Sequence, residues 1–173
     1  MFGPIANRMI NAPLGPPFPG LVERIVDSAT PVIALETGRP GVLLEQLRQA
    51  ALRHGRAIYL WSAADGIGSL REPGVFVPGT RHVIDALRHV EASAHFGIYV
   101  FSPLADLKLA PGSPALVVFR RFLQTRAAPA GPRRIVLMDR YVGVDPEIDA
   151  QMERLFDRPG QGSLRLRQGR WVE

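Results

Sequence analysis

Cysteine is absent from the 173 residues. That single absence excludes a disulfide framework, a thiolate metal site and a cysteine nucleophile. Lysine is almost absent too: Lys108 stands alone among 21 basic residues, and the rest are arginine. No apolar run approaches the roughly 20 residues of a membrane span, and Met1 to Gly20 lacks the apolar stretch of a signal peptide. A cytoplasmic protein is the expectation. Histidine occurs only as His54, His82, His89 and His95, and neither a His-Glu-x-x-His nor a Gly-x-Ser-x-Gly pattern is present. His82 and His89 are seven apart but lie off the apolar stripe of their segment, so exposed side chains are expected rather than metal ligands. No catalytic group and no cofactor or metal site is expected.

What is present fits one domain with a substantial core. Hydrophobic residues make up 46% and charged residues 21%, and a chain of this length buries about 70% of the surface its unfolded form exposes. The formal charge is +5. Residues 1–119 carry 10 basic and 9 acidic side chains, and residues 120–173 carry 11 and 7. The excess sits in the last third but is interleaved with acids, the pattern of a solvated surface more than of a nucleic-acid face.

Residues 1–20 hold Pro4, Pro13, Pro16, Pro17 and Pro19. Proline removes backbone donors and fixes φ, so this stretch reads as an extended arm. The domain proper is expected over 21–159. Leu21, Val22 and Ile25 recur at helical spacing. Pro31 to Glu36 is a short apolar run, as in a strand buried on both faces. Gly41 to His54 makes a helical stripe stopped by Gly55, and Ala57 to Trp61 is a second apolar run. Asp65 to Gly79 is an insert, either a flap or a β excursion. Thr80 is placed to cap a helix whose buried face is Val83, Ile84, Leu87 and Val90. Phe96 to Phe101 is a third strand. Ser113-Pro114 opens a helix through Phe119 and Leu123, and Arg134 to Met138 is a fourth strand. Asp145-Pro146-Glu147 opens a helix that either runs through Phe156 or gives way to a strand over Met152–Phe156; periodicity does not separate the two. Over 160–173, Leu164 and Leu166 alternate with arginines before Gln168-Gly169 and Arg170-Trp171-Val172, a small hairpin.

Apolar strands alternating with helices predict an α/β fold of three layers, a mostly parallel sheet covered by helices on both faces. Ligands of such sheets bind beyond the carboxyl ends of the strands, which singles out Thr37-Gly38-Arg39-Pro40, Ser62 to Gly68, Ser102 to Asp106, and Asp139-Arg140. The first loop has the position of a phosphate-binding loop but not its chemistry. Such a loop needs glycine amides to wrap phosphates, a lysine to offset their charge and a hydroxyl for magnesium. Thr37 to Gly41 is too short, has no lysine and puts Pro40 where a donor is wanted. Arg39 can still hold an anion, against the plainer reading of an exposed turn. Asp65 belongs to an Asp-Gly turn, and Asp139 follows a strand directly, where an aspartate commonly caps the next turn.

Pro31-Val32-Ile33-Ala34-Leu35-Glu36-Thr37, a helix, and then Gly55-Arg56, an apolar strand, Trp61-Ser62 and Asp65-Gly66 resemble the N-terminal domain of an AAA+ ATPase family. That family is named after a hypothetical chloroplast reading frame. Arg133 to Asp139 followed by Asp145-Pro146-Glu147-Ile148 is similar to the domain's last strand and its continuation. The resemblance spans about residues 21 to 159 and implies a degenerate P-loop-like, non-hydrolytic domain, here standing without the ATPase module. Ser102 departs from the acidic residue common in that family after the third strand.

Two functional expectations follow. One is a non-catalytic interaction module, an adaptor or structural subunit whose arm and hairpin engage an AAA+ ATPase or a second copy. The other is a regulatory domain that binds a nucleotide or other phosphorylated ligand without hydrolysis, with Thr37, Gly38, Arg39, Asp65, Ser102 and Asp139 at the site. A nucleic-acid strip of Arg120, Arg121, Arg126, Arg133 and Arg134 is set against separate solvated arginines, and the latter is favoured.

Overall fold

A computed structural model describes residues 20–124 and 133–157 and the two short strands 165–167 and 170–172. The proline-rich arm expected before Gly20 lies outside the described residues. Helix α1 (Leu21–Asp27) leads into β1 (Val32–Thr37), α2 (Pro40–His54) and β2 (Ile58–Ser62). A hairpin strand β3 (Gly66–Ser69) precedes α3 (Val83–Ala92), β4 (Gly97–Phe101), a 3-10 turn (Leu104–Leu107) and α4 (Pro114–Gln124). The chain continues through β5 (Arg133–Asp139), a one-turn α5 (Pro146–Asp149) and β6 (Glu153–Asp157). Strands β7 (Arg165–Arg167) and β8 (Arg170–Val172) pair antiparallel as the expected C-terminal hairpin.

The main sheet has six strands in the order β3-β2-β4-β5-β1-β6. All neighbours run parallel except β3, which pairs antiparallel with β2. Alternation along each strand divides the core into two layers. Ile33, Leu35, Ile98, Val100, Val136 and Met138 face α1 and α2, while Val32, Ala34, Tyr99, Phe101, Ile135 and Leu137 face α3 and α4. The central strands are apolar on both sides because helices cover both faces. This is the three-layer α/β architecture expected from the sequence.

Local chemistry accounts for most element boundaries. Pro40 opens α2, Leu43, Leu47 and Ala51 bury one face at four-residue spacing, and Gly55 ends it in the left-handed region at φ 62. The Ser113 hydroxyl accepts from the Leu116 amide at 3.2 Å to start α4, with Pro114 in the first turn. Asp145 caps α5 by accepting from the Glu147 amide at 3.0 Å.

The structure decides three points that periodicity left open or placed differently. The Asp65–Gly79 insert is a β excursion, with β3 continued by a bridge from Gly68 to Phe76. The segment after Asp145 is a short helix followed by a strand, and β6 adds parallel to β1 at the sheet edge. Thr80 does not cap α3, whose N-cap is His82 with no side-chain hydrogen bond. Thr80 is buried, accepts from the Ile67 amide at 2.9 Å and donates to the Val77 carbonyl at 2.7 Å. Its own carbonyl takes the Trp61 indole N–H at 2.8 Å. The Thr80 hydroxyl thus ties the excursion to the core instead of turning to the helix three residues on. Gly66 permits this knot: its φ is +84, and a Cβ there would sit 2.7 Å from the Thr80 hydroxyl oxygen.

The arginines proposed as a basic strip are dispersed. Arg120 faces Asp145 and Glu147 at 3.8 and 3.6 Å, and Arg121 makes a two-pronged pair with Glu91. Arg133 lies over the Phe122 ring and donates to the Val90 carbonyl. Arg134 is 1% exposed and donates to the carbonyls of Val26 and Ser28, closing the end of α1. Arg126 lies outside the described residues.

Candidate functional site

Because β1, β2, β4, β5 and β6 run parallel, Thr37, Ser62, Phe101, Asp139 and Asp157 all end at one edge of the sheet. Helix α2 packs on one face, while α3 and α4 pack on the other. The chain therefore reverses its winding next to β1, and a crevice beside that strand is where a sheet of this kind takes its ligand.

The loop after β1 is occupied by the protein's own carboxylate. The sheet register sets Thr37 directly beside Asp157 of β6. The Thr37 hydroxyl accepts from the Arg39 amide and donates to Asp157 Oδ2, each at 2.9 Å. Arg39 Nη2 donates to Asp157 Oδ1, also at 2.9 Å. The Asp157 side chain has 0% exposure and that of Arg39 has 22%. The hydroxyl, the cation and the turn amide that could have met a phosphate are thus joined into one closed network. Gly38 is exposed and Pro40 has no amide proton.

The other side of β1 is closed by a second network. Glu36 Oε1 accepts from the Val142 amide at 3.1 Å and from Arg154 Nη1 at 2.6 Å. Arg154 also donates to Asp149 and to the Val142 carbonyl. Asp149, and then Glu36, hold the Arg154 guanidinium in its charged form, raising its pKa against the cost of burial. This network fastens the segment after β5 across the crevice.

Asp139 is spent on backbone amides. Its Oδ2 accepts from Leu104 at 2.9 Å and its Oδ1 from Arg140 at 2.7 Å. It thereby anchors the turn that follows β4, where Ser102 stands half-buried. Asp65 sits apart, in the exposed turn between β2 and β3, where its amide donates to the Ser62 hydroxyl at 3.2 Å. The named residues therefore share one edge but not one pocket: Thr37 and Arg39 form one cluster, Ser102 and Asp139 another, and Asp65 lies at the β2 end.

Two concavities open at that β2 end. One, of about 540 Å³, lies between the start of α3 and the turn after β4, with Trp61, Arg81, Arg88, Asp106 and Lys108 among its walls. The other, of about 580 Å³, lies against Asp65, Phe76 and Pro78 and shares Arg81 and His82 with the first. Sequence reasoning missed Asp157, although it directly follows the alternative strand Met152–Phe156, the same position after a strand that singled out Asp139. It also missed Glu36, Arg154, Arg81 and Lys108, whose significance depends on which elements become neighbours. Among the described residues, no cluster of three or more His, Asp or Glu is placed to hold a metal ion, and no helix is long and apolar enough to cross a membrane.

Comparison with curated proteins and with solved structures gives no match. The model of one protein family, described as the SpoVK-like AAA ATPase, N-terminal domain, matches residues 19–155. That span begins just before α1 and ends within β6, so it takes in both helical layers, five strands of the main sheet and the start of the sixth. With a match covering nearly all of the α/β core, the chain belongs to the SpoVK-like AAA ATPase N-terminal domain family.

Proposed function

We propose that this α/β domain is a non-catalytic interaction module that works with an AAA+ ATPase. The observation that carries this reading is the Asp157 carboxylate seated on Thr37 and Arg39. A nucleoside triphosphate at this loop would have to displace a buried carboxylate from Arg39, its one cationic partner among the described residues. It would find neither a lysine nor a run of glycine amides in return. The residues that remain are suited to holding loops in place: Asp139, Asp145 and Thr80 all spend their side chains on backbone groups. Membership of a family of AAA ATPase N-terminal domains supports an AAA+ ATPase as the class of partner.

The test has two parts. The purified chain is assayed for ATP hydrolysis, and it is mixed with AAA+ ATPases of its host and followed by light scattering and ATPase rate. Absence of turnover by the chain, with a stable complex or a changed rate for one ATPase, supports the proposal. Turnover by the chain that is lost on Arg39→Ala refutes it.

A further inference from the structure

We propose that the cavity between the start of α3 and the turn after β4 binds a phosphate group, with Lys108 and Arg81 as its cationic contacts. This site is separate from the loop after β1 and does not depend on the interaction role proposed above.

The cavity, of about 540 Å³, lies beyond the carboxyl ends of β2 and β4, the edge at which sheets of this kind meet ligands. Trp61, 1% exposed, lines it, and its indole N–H is committed to the Thr80 carbonyl. One wall is the first turn of α3, Val83 to Asp85. No side chain caps that turn. Asp106 and Lys108, from the turn after β4, also line the cavity. The chain's single lysine holds a left-handed backbone at φ 49, a conformation that a side chain rarely adopts.

The charges explain the choice of ligand. Arg88 lies 3.7 Å from Asp85, within reach of an ion pair. With that pair set aside, two cations, Arg81 and Lys108, face one carboxylate, Asp106, leaving a net charge of +1 before His82 is counted. Among the described residues, neither Arg81 nor Lys108 has an ion pair or side-chain hydrogen bond of its own. The contrast with the β1 loop is direct. There the cation is matched by an internal carboxylate, and here two cations border an open cavity. A phosphate oxygen set between them replaces water with charge-assisted hydrogen bonds on both sides.

The experiment is an amide NMR titration of the full chain with inorganic pyrophosphate, with a nucleoside diphosphate and an unphosphorylated nucleoside as parallel arms. Saturable shifts at Val83, Ile84, Asp85 and Lys108 in the first two arms, weakened by added salt, are expected. Tighter binding of the nucleoside diphosphate would identify a nucleotide as the source of the phosphate, and equal binding a free polyphosphate; both support the site. Lys108→Gly removes the ammonium while keeping the left-handed backbone free of strain, and Arg81→Gln alters an exposed, unpaired side chain. Each is expected to weaken pyrophosphate binding roughly ten-fold, the loss of one charge-assisted contact. Lys108→Arg and Arg71→Gln, the latter outside this cavity, are expected to bind like the parent. The proposal is overturned if shifts fail to saturate, centre on Thr37–Arg39, appear equally with the bare nucleoside, or persist unchanged in both Lys108→Gly and Arg81→Gln.

Discussion

Removing Arg39 tests the reading of the β1 loop most directly. In Arg39→Ala the Asp157 carboxylate, with 0% side-chain exposure, keeps only the Thr37 hydroxyl as a partner among the described residues. Breaking a buried pair from one side costs roughly 3–5 kcal/mol, because a charge is left without compensation. Arg39 is 22% exposed, so water can partly replace it, and about 3 kcal/mol is the value to expect. For a domain of this size that lowers the melting temperature by roughly 6–12 °C. Asp157→Ala is expected to cost a similar amount, since it strands the guanidinium and the Thr37 hydroxyl together. The double variant Arg39→Met with Asp157→Leu removes both charges and keeps the volume filled. It should lose far less than the sum of its own two component singles, Arg39→Met and Asp157→Leu, as apolar replacements of buried pairs do. Urea unfolding followed by circular dichroism gives the four corners of the cycle. Added formate should recover part of the stability of Asp157→Ala by refilling the vacated position, with no such gain in the parent. A loss below about 1 kcal/mol in both single variants, or strict additivity in the double, would show that the carboxylate does not close this loop.

Further expectations concern the supports around the site. Gly66→Ala should cost roughly 1–3 kcal/mol in urea unfolding, because its φ of +84 and the Thr80 hydroxyl 2.7 Å from the new Cβ both oppose a side chain. Arg134→Leu should strip the carbonyls of Val26 and Ser28 of their donor and cost roughly 2–4 kcal/mol, with hydrogen-exchange protection lost first in α1. Alkaline pH should destabilise the fold through Tyr99. Burial pushes its phenol above the ordinary value of 10.0, so the unfolded chain ionises first. Stability from this group is complete below that ordinary value and is lost as the pH rises toward the folded value. Urea midpoints between pH 8 and 11 should therefore fall less steeply in Tyr99→Phe than in the parent. An unchanged slope would contradict the burial argument.

The sequence alone determined what depends on near neighbours along the chain. Apolar runs and helical stripes marked the strands and helices through β5 apart from β3, and Pro40, Gly55 and Ser113-Pro114 marked where helices begin and end. These features act over a few residues, so their pattern is visible in the order of the letters. Absences were equally legible: the turn after β1 has neither the lysine nor the successive glycines of a phosphate-binding loop.

Only the tertiary structure decided which residues meet. Arg39 and Asp157 are 118 positions apart, and they touch because β6 pairs with β1 in one particular register. Leu155 and Phe156 fit a helix as well as a strand until an open sheet edge offers backbone partners. Thr80 reads as a cap until the β excursion buries its hydroxyl between Ile67 and Val77. In each case the local preference is worth about a kilocalorie and the burial or pairing it competes with is worth more. Long-range contact therefore settles the outcome, and with it which charges are spent within the fold and which remain open to a ligand.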